Sequence, residues 1–371
     1  MPLYLTDDQS MLRDTAREFM AEEGAIGKQL RKYRDMGCKD GFGHALWRQF
    51  GELGFTGVLI DEADGGMGLG HVEAGIVLEE IGRNLTPSPF LVTAVAVVEA
   101  LKGTAQRERW LPGILAGETV AALAVDEGRK HRPEGIAMKA ERSGNGFKLT
   151  GQKRFVVQGV SADVFIVAGR AEEGLTLFTV EKDVTGLDVE SVRLADSSIG
   201  ARIDFNGVEV DADAVVGEVG GGEAVLGRVL NAARAGAASE MVGVGSGAMA
   251  MTVDYLKQRK QFGKLIGEFQ VLQHRAAHLY SELEIARAAA LKAQQLLDEG
   301  SADAEAMVSV AKSKAGRVST LAVQEGVQMH GGIGMTDEYD IGLYMKRDRV
   351  LNELFGDANY HADKVARLLG Y

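Results

Sequence analysis

The sequence predicts an α+β fold, mainly α, in which two helical regions flank a smaller β region. Three observations support this order: helical periodicity at both ends, short alternating segments after Val120, and the glycine-rich segment GEVGGGE ending at Glu223. We expect an N-terminal helical domain over residues 1–118, a middle β domain over 119–220 and a C-terminal helical bundle over 221–371.

The first helix is predicted to begin after Thr6, because Gln9 follows three residues later and the pair can form a capping box. The apolar face expected for this helix carries Met11, Leu12, Thr15 and Phe19. Further on, DEADGGMGLG spans Asp61 to Gly70 and has too many glycines for a helix or strand. Its backbone N–H groups could cradle a phosphate, but a tight connection is the interpretation we favour.

The middle region is predicted to be β because its apolar segments are short and are separated by Gly, Asp and Asn. These segments are FKLTG, RFVVQG, DVFIVAG, LTLFTVE and ARIDFNGVEV.

In the last third, small and apolar residues repeat at alternating spacings of four and three, which is typical of an antiparallel helical bundle. The two stripes are Leu272, Ala276, Leu279, Leu283, Ala286 and Val308, Ala311, Ala315, Val318, Ala322. The alanines and glycines between residues 232 and 250 indicate close helix packing or a subunit interface.

Composition excludes several classes of protein. A net charge of -12 argues against a nucleic-acid binder, which needs clustered Lys and Arg. Cys38 is the only cysteine, so the chain has no internal disulfide and no CxxC metal site, and we predict no bound metal. The N-terminus lacks a signal or transit pattern, and the longest apolar run, residues 90–101, is too short for a bilayer span of ~20 residues. We therefore expect a cytoplasmic protein without a membrane span.

Two C-terminal segments suggest ligand contacts. In RKQFGKLIGEFQ, basic residues lie beside Phe262 at a helix end, where they could hold a diphosphate or an adenine ring; the alternative is a solvated helix end. In VQMHGGIGMTDE, glycines interrupt a helix so that backbone amides could approach a ligand, with Gln328 one turn earlier. A helix-to-helix turn with a glycine C-cap is the alternative there.

Five segments in register resemble the acyl-CoA dehydrogenase family over nearly the whole chain. They are LTDDQSMLRDTAREF, LGFTGVLIDEADGGMGLG, QRKQFGKLIGEFQVLQH, QMHGGIGM and YMKRDRVLNELFGDA. The resemblance implies a helical domain, a barrel-like β domain and a four-helix bundle, assembled as a tetramer that binds FAD. It also implies that a carboxylate removes the α proton of an acyl-CoA thioester while the β hydrogen leaves as hydride to flavin N5.

By motif position, the resemblance assigns FAD contacts in the C-terminal region, on the cofactor of a neighbouring subunit. Arg259, Gln261 and Phe262 would contact the diphosphate end. Gln328, Gly331 and Gly332 would meet the adenosine side.

The positions of the family's catalytic base are vacant. The usual glutamate follows the final RD pair, and an ungapped alignment from Asp348 places Gly356 there. The second known position, just ahead of an arginine on the long helix, holds Ala233. Asp357, one residue beyond the usual place, is the remaining candidate base, although a capping carboxylate at a helix start is the role we favour.

The middle region also departs from the family pattern. AVDEGRKHRPEG replaces a Thr-Glu pair followed by Gly-Ser-Asp and retains only Glu127, which is either a cofactor contact or an exposed loop carboxylate. The second flavin strand is expected at Phe155, Val156 and Val157. A valine cannot donate the hydroxyl hydrogen bond expected near flavin N5.

Three interpretations follow. In the first, which we favour, the chain is a half-degenerate subunit of a heterotetrameric dehydrogenase for bulky or dicarboxylic acyl-CoAs, such as steroid side chains or pimelate, and a second acyl-CoA dehydrogenase subunit supplies the base. In the second, it is an active homotetramer that uses Asp357. In the third, it is a non-enzymatic scaffold that binds acyl-CoA or a partner. The enzymatic interpretations place it in β-oxidation of fatty acids or steroids, with an electron-transfer flavoprotein as electron acceptor.

Overall fold

The computed structural model describes residues 3–371, which form helices at both ends and a β sheet between them. The α-helices, in chain order, are α1 Asp7–Glu22, α2 Lys32–Asp35, α3 His44–Glu52, α4 His71–Asn84, α5 Val98–Leu101, α6 Arg107–Leu115, α7 Gly222–Gln258, α8 Gln270–Asp298, α9 Ala304–His330, α10 Ile341–Glu353 and α11 Ala358–Leu368. The strands are β1 Ala121–Ala124, β2 Lys139–Ser143, β3 Gly146–Val157, β4 Val164–Ala171, β5 Gly174–Glu181, β6 Leu187–Arg193, β7 Ile199–Val210, β8 Val215–Val216, β9 Lys260–Gln261 and β10 Lys264–Leu265. This order confirms the predicted α+β fold.

The chain divides into two compact units. One contains residues up to 32, residues 71–86 and residues 234–371; the other contains residues 33–70 and 87–233. The domain boundaries predicted at residues 118/119 and 220/221 stay a prediction.

In the first unit, α8 and α9 pack through the predicted stripes. Leu279, Leu283 and Ala286 are buried on α8, whereas Leu272 and Ala276 of the same stripe are half-buried, and the whole α9 stripe is buried. The close helix packing predicted from glycine is also present, because Cβ atoms added at Gly82 of α4 and Gly243 of α7 would collide with backbone carbonyls of the opposing helix. These glycines let the two backbones approach directly.

The start of α1 forms the predicted capping box. The Gln9 N–H donates to Thr6 Oγ1 at 3.2 Å, and the Thr6 N–H donates to Gln9 Oε1 at 3.0 Å. The predicted apolar face was wrong at Met11, which is 64% exposed, and at Thr15, which is also exposed, because α1 buries Ala16 and Met20 instead.

In the second unit, the strands predicted from alternation form a sheet in the order β6-β7-β3-β2-β4-β5-β8, and β1 pairs in parallel with β4. Its core contains Phe147, Phe165, Phe178 and Phe205. The apolar run after Pro89 forms a buried π-helical turn over Leu91–Val97 that continues into α5. No helix among residues 3–371 is long and apolar enough to cross a bilayer.

Candidate functional site

The RKQFG segment forms a β-hairpin that projects from the end of α7. β9 and β10 are antiparallel, and the turn residues Phe262 and Gly263 have φ of 51° and 80°, as a type I′ turn requires. Phe262 is 92% exposed, and Arg259 and Gln261 are exposed beside it. An exposed phenylalanine at a strained tip, flanked by an arginine, is suited to contact a ligand or another subunit.

The structure brings this hairpin to the end of α9, which carries the second motif. Leu256, Ile266 and Met329 form one apolar cluster, and the rings of Tyr255 and His330 stack with centroids 4.5 Å apart. The two motifs that the resemblance assigned to one cofactor are therefore neighbours in the fold.

The glycines after α9 leave the backbone open. Gly331 has φ of 65°, and Cβ atoms added at Gly331 or Gly332 would meet nothing within 4 Å. Gln328 is exposed one turn earlier. The backbone here is accessible to a ligand, and Gly331 also caps α9, so the two sequence interpretations of this segment are compatible.

His330 in this segment was missed by the sequence analysis. It is buried, its Nδ1 lies 2.7 Å from the Gly326 carbonyl oxygen, and its buried Nε2 has no hydrogen-bond partner among the described residues. Burial lowers the pKa of His330, so the ring is neutral near pH 7. The histidines are scattered along the sequence, and nothing in the sequence distinguished His330 from the others.

The turn between α10 and α11 holds the expected base position. Gly356 has φ of 105°, and a Cβ added there would lie 2.9 Å from Tyr360 Cε1 and 3.0 Å from His361 Nε2. Asp357 caps α11: its Oδ1 accepts the Asn359 N–H at 3.0 Å and the Tyr360 N–H at 2.8 Å. The second expected position, Ala233 on α7, is fully buried.

Three buried nitrogen-bearing side chains from three helices fix this turn. Lys312 of α9 donates to the carbonyl oxygens of Leu351 at 2.9 Å and Gly356 at 3.1 Å. Arg234 of α7 donates through Nε to the carbonyl oxygen of Phe355 at 3.1 Å, which His361 Nε2 also approaches at 3.1 Å. We call Arg234, Lys312 and His361 the turn clamp.

The charges in the turn clamp follow from burial. Burial, helped by the neighbouring Arg234 charge, lowers the pKa of Lys312 to about 7. Burial also lowers the pKa of His361 to about 2, so this ring stays neutral. Lys312 was missed by the sequence analysis, although a lysine directly after Ala311 in a buried stripe was a signal that could have been used.

In the second unit, the end of β3 carries the predicted flavin-strand residues. Phe155 has φ of 53° and is 55% exposed, next to an irregularity in the pairing of β3 with β7. Val156 is buried and Val157 is half-buried. This strand end presents an aromatic ring to solvent but no hydroxyl group.

The Glu127 carboxylate is held by hydrogen bonds from other residues of this chain. Its carboxylate accepts the Lys153 Nζ at 2.8 Å and the N–H groups of Ala137 at 2.9 Å and Met138 at 3.0 Å. Lys153 is fully buried and also donates to the Val125 carbonyl oxygen at 3.0 Å. Burial is the largest influence on Glu127 and opposes its ionisation, but the charge of Lys153 and the hydrogen bonds from Lys153, Ala137 and Met138 together outweigh burial and lower the pKa of the carboxyl. These bonds close the loop 128–136 at its base.

Comparison with known proteins identifies the family to which this fold belongs. Residues 6–118 match the N-terminal domain of acyl-CoA dehydrogenase, and residues 220–370 match its C-terminal domain. The chain is 32% identical to acyl-CoA dehydrogenase FadE12 of Mycobacterium tuberculosis over 363 residues, covering 93% of this chain and 91% of the relative. It is 31% identical to mitochondrial isovaleryl-CoA dehydrogenase of Solanum tuberosum over 326 residues, covering 83% and 78%.

A solved structure named as a variant of the Tcur3481-Tcur3483 steroid ACAD superposes with a TM-score of 0.89 at 28% identity, covering 98% of each chain. The matches define an oxidoreductase class that acts on CH–CH groups and uses FAD. The chain belongs to the acyl-CoA dehydrogenase family.

The residues of the two units fit FAD unequally. In the first unit, the exposed Arg259 side chain and the open backbone at Gly331 and Gly332 suit a dinucleotide. In the second unit, Phe155 offers a ring surface, but Val157 offers no donor and Glu127 is occupied by Lys153. The C-terminal contribution fits the cofactor, and the chain's own flavin contacts fit it poorly.

Proposed function

We propose that this chain is a subunit of a heteromeric acyl-CoA dehydrogenase in which the partner subunit supplies the catalytic base. In this assembly Arg259, Gln261, Phe262, Gln328 and Gly332 contact FAD bound mainly by the partner. When bound, FAD supplies the acceptor for the hydride that leaves the substrate β carbon. The residues of this chain position the cofactor and do not remove the α proton.

The observation that carries the proposal is the geometry of the turn between α10 and α11. Gly356 occupies the expected base position in a backbone conformation that favours glycine, with Tyr360 and His361 against the place where a side chain would start. The carboxylate of Asp357 is already used by two backbone N–H groups of α11. A base at this turn would have to break a helix cap.

A named relative supports the substrate class. The steroid ACAD structure, at 28% identity, is designated by two components, Tcur3481 and Tcur3483. We propose a bulky or dicarboxylic acyl-CoA as substrate, an electron-transfer flavoprotein as acceptor, and a role in β-oxidation of fatty acids or steroids.

The proposal is tested by purifying the chain alone and together with a second dehydrogenase-like chain. FAD per chain and bleaching by acyl-CoA are measured in both preparations. We expect bleaching only in the co-purified complex, and we expect Arg259→Ala to reduce FAD retention there while Lys257→Ala, an exposed residue in the last turn of α7, does not. Bleaching by the chain alone, abolished in Asp357→Asn, would instead establish an active homo-oligomer.

A further inference from the structure

A cavity of about 720 Å³ opens within the first unit. It lies between α1, α4, α7 and α8, together with residues 3–5 ahead of α1, and every residue that lines it belongs to that unit. The turn clamp, the hairpin and the glycines after α9 do not line it. Its volume is within the range of sites that hold small organic ligands. We call it the four-helix cavity.

The buried part of the lining is apolar. Ile76 of α4, Val242 of α7 and Leu283 of α8 line the cavity and are buried. The exposed part carries two aromatic rings, Tyr4 and Tyr280, which are 72% and 57% exposed. The cavity is therefore open to solvent on one side and can remove an apolar ligand body from water on the other.

The charged side chains of the lining are balanced. They are four arginines and four carboxylates: Arg13, Arg17, Arg83, Arg287, Glu79, Glu80, Glu284 and Asp254. Net charge therefore does not select a ligand, and the hydrogen bonds already made inside the protein decide what the cavity can still bind. Arg17 donates to Glu80 Oε1 through Nε at 3.1 Å and Nη2 at 2.8 Å. Arg287 donates to Glu79 Oε1 through Nε at 3.0 Å and to Ser246 Oγ through Nη2 at 2.9 Å.

The Arg83 side chain, in contrast, makes no hydrogen bond to another of residues 3–371. Its Nε is buried without a hydrogen-bond partner, 3.4 Å from Glu80 Oε2, and its Nη2 is 3.9 Å from Glu79 Oε1. These are ion-pair distances without hydrogen-bond geometry. The side chain is 27% exposed and lines the cavity, so its terminal nitrogens are accessible from it. A guanidinium has five N–H donors, and the cavity therefore has spare donors at Arg83.

We propose that the four-helix cavity binds a monocarboxylate with an apolar tail and that Arg83 holds its head group. A carboxylate matches the guanidinium fork with two parallel hydrogen bonds. The single free cation stands beside Glu79 and Glu80, which disfavours a doubly charged phosphate more than a carboxylate. The tail lies against the buried apolar part of the lining. This site goes beyond the proposed function and does not depend on it.

Asp254 is the exposed carboxylate of the lining that would repel an anion. It follows Gly247 by seven residues on α7, and a Cβ added at Gly247 would lie 2.5 Å from the Arg83 carbonyl oxygen. Seven residues of helix span roughly 10 Å. The repulsion therefore acts from farther along α7 than the position where Arg83 binds the head group.

The test uses three probes with the same alkyl chain, decanoate, decanol and decylammonium, kept below their micelle-forming concentrations. Their binding to the purified full chain is measured by titration calorimetry. We expect decanoate to bind about tenfold or more tightly than decanol, and decylammonium to bind no better than decanol. In Arg83→Met, decanoate affinity should fall to that of decanol, and decanol affinity should stay at its wild-type value.

Arg349→Met is the matched control, because Arg349 is an exposed arginine of α10 that pairs with Glu353 at 3.0 Å and does not line the cavity. It should bind all three probes as the wild type does. Because Arg83→Met also removes an ion-pair partner of the buried Glu80, a second variant tests the cavity without touching a charge. Ala250→Trp places a ring at an exposed position of the lining and should weaken decanoate and decanol alike, by about tenfold.

Ala277→Trp is the control for the added ring, since Ala277 is exposed on α8 outside the cavity. It should bind both probes as the wild type does, and both tryptophan variants should keep the wild-type unfolding midpoint. The proposal is overturned if the wild type binds none of the probes or binds decanol as tightly as decanoate. It is also overturned if folded Arg83→Met keeps its preference for decanoate, or if Ala250→Trp binds the probes unchanged.

Discussion

Gly356 is a position where this structure should tolerate a side chain poorly. Its φ of 105° lies in a region that side chains other than glycine rarely occupy, and a Cβ would come within 3.0 Å of Tyr360 and His361. Replacing Gly356 with Ala therefore adds backbone strain of about 1–3 kcal/mol and overpacking of about 1–3 kcal/mol. The expected loss in the free energy of unfolding is roughly 2–6 kcal/mol, and Gly356→Glu should be at least as severe.

Gly300→Ala separates the two contributions. Gly300 lies in the same unit, has φ of 62°, and a Cβ added there meets nothing within 4 Å. Only the strain remains, so we expect a loss of about 1–2 kcal/mol.

The assay is equilibrium urea unfolding of the wild type and both alanine variants, with the free energy taken by linear extrapolation. The reasoning requires Gly356→Ala to lose clearly more stability than Gly300→Ala. Equal losses would show that the turn can accept a side chain. A stable Gly356→Glu variant that bleaches flavin alone would show that the base position is open after all.

Three further predictions concern buried and capping charges. Burial lowers the folded-state pKa of Lys312 to about 7, so between this pH and the ordinary pKa of lysine the unfolded chain binds more protons than the folded one. The free energy of unfolding should therefore rise with pH in that range, and urea titrations of Lys312→Met should lack the rise. Asp357→Ala should lower the free energy of unfolding by about 1 kcal/mol, because the helix cap is lost, and should leave dye reduction by the heteromeric complex unchanged. If turnover is lost while the variant stays folded, Asp357 is the base. Glu127→Gln should lower the free energy of unfolding by about 3 kcal/mol, because it leaves the buried Lys153 without its carboxylate partner. A variant that is as stable as the wild type and loses only FAD would contradict this structural role.

Periodicity determined how much of the fold could be predicted. The stripes of α8 and α9 and the strands of the sheet follow from repeating apolar positions, and the start of α1 follows from Thr6 and Gln9. The buried face of α1 could not be found from its apolar residues alone. α1 is largely polar, and its Arg17 forms an ion pair at 2.8 Å with Glu80, which is buried on α4.

The site was predictable where motifs are local and not where it is assembled from distant residues. The hairpin at Arg259 and the glycines after α9 were recognised from short segments. The turn clamp was missed because Arg234, Lys312 and His361 come from three helices and bind backbone carbonyl oxygens, so that only Lys312, next to Ala311 in a buried stripe, left a signal in the sequence. Glu127 was noticed, but its partner Lys153 lies on β3, far from it in the sequence.

The central claim is that this chain assists a partner's dehydrogenation and has no base of its own. The most direct test is the visible absorption spectrum of the purified chain, with FAD counted per chain and bleaching followed after acyl-CoA is added. We predict that the chain alone carries little FAD, or FAD that acyl-CoA does not bleach, and that bleaching appears once the second subunit is present. About one FAD per chain, bleached by acyl-CoA without any partner, would contradict the account.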